Sequence, residues 1–345
     1  MDLSAPAGEA AVRDAVAAAD AVVPVGAGTH REVGGPVPSG TPVAAPAGIV
    51  TYDPAELTVT VGAGTPVAAL QAALGAHDQE CVLDPRDSRA TVGGVLAVGL
   101  SGHRRLRYGP LRDRVLEVRF VTGDGRLVRG GGPTVKNVTG FDLPRLLVGS
   151  FGTLGVLTRV ILRCQPRPRS ARWYRSADNG AATRARLVAP STVAGTADGT
   201  WVLLEGDPAD VDAQAGAASL TPTDDGPPWP DGPHRGRISV APGRLGELEP
   251  AIDAVPELRW LTEWGVGTVH VAGVTEAGLA AARVAAEAAG GWLLRESGAP
   301  GLDGFGVGLP NREVMARVKA AFDPAGKLSP GRLPIAALAS QRAAS

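Results

Sequence analysis

Val12 and Val16 stand one helical turn apart among alanines, so the spacing predicts a short amphipathic helix over residues 8–19, and the apolar run at 21–25 predicts a strand after it. Residues 49–52 and 57–61 predict two further strands joined by the turn Asp53-Pro54-Ala55-Glu56. Thr65 is expected to cap a helix that has Pro66 at its first position and runs to about Gly75. Residues 115–121 and 126–129 flank Gly123-Asp124-Gly125, a hairpin signal, and the β-branched run at 156–162 predicts a strand that stops at Pro166-Arg167-Pro168. Beyond that linker, 201–205, 237–240, 259–262 and 269–272 predict short strands, 277–289 an alanine-rich helix and 312–322 another. Residues 221–233, rich in Pro, Gly and Asp, are expected to form a long exposed loop. Irregular alternation of the two element types predicts the α+β class rather than a doubly wound sheet. The divisions expected are 1–77, 78–168, 169–310 and a C-terminal return segment, 311–345.

Composition narrows the picture. At 345 residues the chain exceeds one typical domain. With 34 basic against 35 acidic residues the net charge is −1, so no global electrostatic argument favours nucleic acid. Arg104, Arg105, Arg107, Arg112 and Arg114 cluster locally, and a solvated face is preferred to a docking patch. The acidic N-terminus is not expected to be a secretory signal, and no run approaches the roughly 20 apolar residues of a spanning helix. Cys81 and Cys164 form no CxxC, so neither a disulfide framework nor an iron–sulfur cluster held by this chain is expected, and a cytoplasmic location fits.

The candidate chemistry lies in glycines. Gly26-Ala27-Gly28-Thr29-His30 follows a predicted strand, and such a turn can direct backbone N–H groups into one anion-binding concavity. A ligand-free tight turn explains the two glycines equally well. No third glycine follows at Rossmann spacing, and Pro36 and Pro38 stand where that helix would run. From Asp84-Pro85 onward, Gly93, Gly94, Gly99, Gly102, Gly109, Gly140, Gly149, Gly152 and Gly155 punctuate short β-branched runs, a pattern suited to wrapping a large ligand.

Taken in order, Gly26-Ala27-Gly28-Thr29, Ala90-Thr91-Val92-Gly93-Gly94, Gly99-Leu100-Ser101-Gly102 with Arg107-Tyr108-Gly109, Val135-Lys136-Asn137-Val138-Thr139-Gly140-Phe141-Asp142, Gly149-Ser150-Phe151-Gly152-Thr153-Leu154-Gly155 and the closing 323–332 segment resemble the FAD-binding domain of the vanillyl-alcohol oxidase and p-cresol methylhydroxylase superfamily. More narrowly, residues 50–57, 102–105 and 136–138 resemble the E-type FAD-binding subunits of bacterial glycolate oxidases. The resemblance implies a two-subdomain PCMH-type FAD-binding domain and a smaller, degenerate α+β substrate or cap domain. It implies FAD contacts from Gly26, Ala27, Gly28, Thr29, His30, Asp84, Pro85, Thr91, Gly93, Gly94, Ser101, Gly102, Tyr108, Gly109, Gly152, Gly155 and Val156. It further implies a small 2-hydroxy acid substrate, a D-type flavin subunit and an iron–sulfur subunit as partners, and membrane contact, if any, through those partners. Phe151 stands where active hydroxy-acid members carry Glu, and Ser329 where many carry Asn. Thr29 occupies the position of the histidine that links covalent flavins, which implies non-covalent FAD.

The catalytic base is not legible. The five histidines, His30, His77, His103, His234 and His270, have no metal-ligand spacing, so no metal site is expected. His270 is expected to be structural, and Arg237 and Arg259 are expected to be exposed, with carboxylate binding by either the alternative. With no base and carboxylate clamp in view, the isolated chain is expected to oxidise glycolate poorly without partners. The rival expectations are a self-sufficient flavin dehydrogenase and a structural subunit that has lost FAD.

Overall fold

The computed structural model describes residues 7–133, 141–306, 308 and 311–335. Residues 134–140, including Lys136, Asn137 and Gly140, lie outside them. Two hydrophobic cores organise the chain. The first packs under a five-stranded antiparallel sheet ordered Ile49–Asp53, Thr58–Gly62, Val156–Arg163, Val115–Val121, Leu127–Gly131. Val67, Leu70 and Leu74 of one helix and Val92, Val95 and Leu96 of another fill it.

The helix Ala7–Ala18 buries Val12 and Val16 against Val22, Val43, Val121, Val156 and Leu328, as its i, i+4 spacing demands. The strand Val22–Val25 pairs in parallel with Thr41–Ala44. On its other side lies the C-terminal segment, through Val22 N–H to Lys327 O at 2.8 Å and Ser329 N–H to Val22 O at 2.8 Å. Arg312–Phe322 is the expected helix, with Val318 and Phe322 on the first core. Ser329 and Arg332 are thereby brought to the start of the chain.

The cap expected of Thr65 is not made. Its hydroxyl accepts from Gly48 N–H at 2.8 Å and donates to Gly62 O at 2.6 Å, so it is spent on the preceding loop. The helix Val67–Gly75 instead follows Pro66 without a side-chain cap, and Val67 N–H donates to Ala90 O at 2.9 Å.

The second core underlies an eight-stranded sheet, ordered by strand as Thr221–Thr223, Ser170–Ser176, Gly199–Gly206, Thr192–Thr196, Leu258–Glu263, Thr268–Gly273, His234–Ser239, Trp292–Ser297. Four of these, Ser170–Ser176, Thr192–Thr196, Thr221–Thr223 and Trp292–Ser297, have no counterpart in the sequence-based strands. Nor is the 221–233 stretch simply an exposed loop. Thr221–Thr223 adds to the sheet edge, and Trp229 folds inward to stack on His103 with ring centroids 3.8 Å apart. Proline and glycine report local turns but carry no information about what a neighbouring ring will pack on.

Between the sheets runs Arg104, which donates to both oxygens of Asp84 at 2.9 and 2.7 Å, to Glu80 at 2.9 Å and to Glu205 of the second sheet at 3.2 Å. Part of the arginine cluster is thus a buried inter-sheet tie rather than a solvated face.

Candidate functional site

A narrow cavity of about 100 Å³ opens where the strand Val22–Val25 ends. Gly26, Ala27, Gly28, Thr29, His30, Thr91, Gly94, Gly152, Ser329 and Arg332 are among the residues that line it. Gly28 turns the loop at φ +77°, in the left-handed region. A Cβ on Gly26 would collide with the Thr91 hydroxyl, which accepts from Gly94 N–H at 3.2 Å and caps the helix Val92–Val98. The backbone N–H groups of Ala27 to His30 donate to no described residue.

Three arginines gather at this cavity with no carboxylate paired to any of them among the described residues. Arg31 and Arg332 line it, and Arg295 stands close enough to Arg332 to oppose its charge. Burial first, then Arg295 and Arg31, push the Arg332 guanidinium down to about 10. It donates to Gly35 O at 3.2 Å, Pro36 O at 3.1 Å and His30 O at 3.4 Å, and its buried Nε has no partner among the described residues. Free amides plus uncompensated cations are the donor set a diphosphate needs, so the residues fit the phosphate run of a dinucleotide.

A larger cavity, about 400 Å³, lies between the two sheets and shares Thr29 and His30 with the first. Asp84, Pro85 and Ser101 line it with Arg86, Asp87, Arg235, His270 and Glu296. Gly93, Gly102, Tyr108, Gly109, Gly155 and Val156 line neither. Gly93 abuts Ala63, Gly102 abuts Asp84, Gly155 lies against the Phe120 ring, and Val156 is core. Tyr108 sits near Arg104 and Arg107, its phenol pushed up to about 12 by burial and Glu205, and Gly109 closes its short helix. The structure therefore separates glycines that border space from glycines that admit a neighbour.

Arg86 crosses from the loop before Ser88 to the second sheet. It pairs with Glu296 at 3.0 Å, bonds His270 Nδ1, and lies 4.1 Å from the Trp229 ring centroid. Because guanidinium only donates, His270 Nδ1 is the acceptor and Nε2 faces Glu263 Oε2 at 3.4 Å. Burial holds His270 well below the usual imidazole range and lowers His103 to about 4. Arg237, expected to be exposed, has its Nε buried without a partner among the described residues. Arg259 is exposed as expected.

Glu263, buried between the two histidines, is raised to about 8 by burial, opposed by Arg86, Arg105 and Arg237. A carboxyl whose folded pKa exceeds its unfolded value of about 4.3 loses folding stability as pH climbs from the lower value to the higher. Glu263→Gln is therefore expected to flatten the fall in melting temperature between pH 5 and 8, measured by scanning calorimetry. An unchanged slope would refute the assignment.

Sequence reasoning missed Arg31, Arg86, Arg235, Glu296 and Arg332 as site residues; only Arg332 carried a signal, as part of the closing 323–332 segment. Among the described residues no group of three metal-ligating side chains occurs, and no helix is long and apolar enough to cross a membrane.

Residues 4–131 match the family of the FAD binding domain. Over 126 residues the chain is 48% identical to glycolate oxidase subunit GlcE of Escherichia coli strain K12, covering 36% of each protein. Over 108 residues it is 42% identical to D-lactate dehydrogenase of Archaeoglobus fulgidus, covering 31% of this chain and 24% of that one. The matched stretches thus span little more than a third, at most, of these relatives' own lengths. A solved structure of alkyldihydroxyacetonephosphate synthase superposes with a TM-score of 0.68 at 15% identity, covering 94% of this chain and 76% of that chain. That likeness extends over both sheets and shows the expected α+β fold. Residues 4–131 of the chain are accordingly similar to an FAD binding domain.

Proposed function

We propose that the chain is the FAD-binding subunit of an oxidase or dehydrogenase complex acting on glycolate or a related D-2-hydroxy acid, and that it holds FAD non-covalently. Gly26, Ala27, Gly28, Thr29, His30, Thr91, Gly94 and Gly152 border the diphosphate, with Arg31 and Arg332 as its counter-charges. Asp84, Pro85 and Ser101 border the cofactor's course into the larger cavity, while Gly93, Gly102, Tyr108, Gly109, Gly155 and Val156 support it from behind. When bound, the flavin supplies a two-electron oxidant that accepts hydride. The observation that carries this reading is the run of unpaired amides and acid-free arginines leading through Thr29 and His30 into a second, polar cavity. The names of the relatives support the hydroxy-acid class.

The purified chain is expected to be yellow, with one FAD per chain, and acid precipitation is expected to release the colour into the supernatant. Thr29 stands at the linking position, and its hydroxyl is hydrogen-bonded to His30 Nδ1 at 2.8 Å. Colour in the pellet would refute non-covalent binding; a protein that neither carries nor takes up FAD would refute the cofactor reading.

Electrons must then leave the flavin, and Cys81 and Cys164 are both buried, their thiols pushed up by burial. A D-type flavin subunit and an iron–sulfur subunit are therefore the proposed partners, and steady turnover with a natural acceptor is expected only after co-expression with them. The second reading, a self-sufficient hydroxy-acid dehydrogenase, gains one observation: the larger cavity carries arginines and a histidine of its own. Equal turnover by the isolated chain and the complex would select it.

A further inference from the structure

We propose that Cys81 and Cys164 are an oxidisable pair, which hydrogen peroxide converts to a disulfide tying the segment before Asp84 to the end of the strand Val156–Arg163. The inference concerns a site apart from both cavities described above and does not depend on the flavin reading.

The two residues face each other at the end of a short antiparallel ladder. Gln79 is registered with Pro166 and Glu80 with Gln165, so the next rung sets Cys81 opposite Cys164. Arg167 N–H donates to Asp78 O at 2.8 Å, which makes that rung a hydrogen-bonded one. Rungs alternate in an antiparallel pair, and three steps on, the cysteine rung is of the other kind. The backbone agrees. Cys164 N–H donates to Leu57 O at 2.7 Å, while Cys81 N–H donates to Gln71 Oε1 at 3.4 Å and Cys81 O accepts from the same amide side chain. Residues opposed at such a rung have Cα atoms about 4.5 Å apart, inside the roughly 4.4–6.8 Å that disulfides span. Both cysteines are free thiols buried in the first core, and directly opposed residues of a ladder share one face.

The surroundings set how the pair reacts. Burial and then the neighbouring Cys164 push the Cys81 thiol up, against the pull of Arg114, and burial pushes Cys164 up to about 12. Arg114 has no carboxylate paired to it among the described residues: it donates to Gln165 Oε1 at 3.3 Å and Tyr108 O at 2.8 Å, and its buried Nε has no partner there. A thiolate formed at Cys81 therefore has a cation to steady it. Gln71, whose amide covers Cys81, also lines an open cavity of about 410 Å³ with Glu80 and Arg167. Turning that one side chain aside gives a small polar oxidant a way toward the sulfur. Because both thiols are protonated at pH 7, closure is slow and answers to sustained peroxide.

In the reaction one thiol loses its proton and its sulfur attacks a peroxide oxygen; the O–O bond breaks, a sulfenic acid forms and one water leaves. The second sulfur then attacks the first, the S–O bond breaks, the S–S bond forms, and the second thiol's proton leaves with the hydroxide as water. Two thiols lose two electrons and two protons, and one peroxide becomes two waters. The bond holds the chain just ahead of Asp84, Pro85 and Arg86, which line the larger cavity.

The test incubates the full chain in millimolar hydrogen peroxide, alkylates the remaining thiols in denaturant, and reads the intact mass and the non-reduced peptide map. Wild type is expected to lose both alkylatable thiols together, with a mass about 2 Da below the dithiol form and the peptides holding Cys81 and Cys164 joined. Dithiothreitol is expected to reverse the change. The rate is expected to rise about tenfold per pH unit between roughly pH 7 and 9, as the thiolate fraction does. The oxidised form is expected to melt about 5 °C higher, since the bond closes a loop of roughly 80 residues. Cys81→Ala and Cys164→Ala are expected to show neither the joined peptides nor the higher melting temperature, and the wild-type map decides even where a variant fails to fold. Two free thiols after hours in peroxide, a bond that forms only in urea, or separate chains joined through these cysteines would overturn the inference. Flavin content does not enter the readout, so such a failure leaves the cofactor reading standing.

Discussion

Replacing Gly28 by valine is expected to yield a folded protein that purifies with less than a tenth of the wild-type flavin. Space is not the obstacle, because a Cβ at this position would meet nothing closer than Arg31 Cδ at 3.7 Å. The obstacle is the backbone: φ is +77°, a conformation costing an L residue about 1–2 kcal/mol and a β-branched one more. The loop can relieve that strain by rotating, and rotation redirects the amides of Ala27 to His30 away from the cavity. Gly28→Ala is expected to fall between the two. Flavin content by absorbance after gel filtration, with circular dichroism as the check on folding, is the measurement. Wild-type flavin in the valine variant would remove this loop from the cofactor site.

Arg332→Met is expected to weaken FAD binding about 10- to 100-fold. The Arg332 guanidinium is buried beside two like charges and held down at about 10, so the protein without an anion carries the cost of keeping it ionised. For a base with a depressed folded pKa, that cost is present at neutral pH and disappears only above the unfolded pKa of about 12.5 or more. A diphosphate removes it, and the binding energy so gained disappears with the charge. Since Arg332 also holds three loop carbonyls, Arg332→Lys, which keeps the charge but not the fork, is expected to lie between wild type and Met. Inorganic pyrophosphate offers an independent readout: it is expected to raise the melting temperature of flavin-stripped wild type and to raise it less in Arg332→Met. Equal FAD affinity in the two proteins would refute the assignment.

Both predictions sharpen what the residue pattern alone suggests. Gly26 and Gly28 look alike in sequence, yet one is required by a neighbouring hydroxyl and the other by its own torsion. Ser101 and Tyr108 lie seven positions apart in one glycine-rich stretch, but of the two Ser101 lines the larger cavity and Tyr108 does not. The arginines divide in the same way: Arg104 is consumed by three carboxylates, while Arg235 keeps its charge uncompensated.

By itself the sequence determined what depends on local spacing. The helix with Val12 and Val16, the hairpin about Gly123-Asp124-Gly125, the continuous strand after Gly155 and the helix closing at Phe322 all follow from period and turn chemistry within some ten residues. The phosphate-type loop was legible for the same reason, being one contiguous run whose function lies in its backbone. Only the tertiary structure decided the rest. Trp292–Ser297 buries two charged side chains, Arg295 and Glu296, whose partners Arg86, Gly34 and Gly35 come from the far end of the chain. His30, Arg86 and Arg235 are separated by tens to hundreds of positions, and nothing in the local propensity of any of them marks it as facing the others. A polar side chain's role is set by what neutralises it, and in a two-sheet protein that partner comes from across the interface rather than from along the chain.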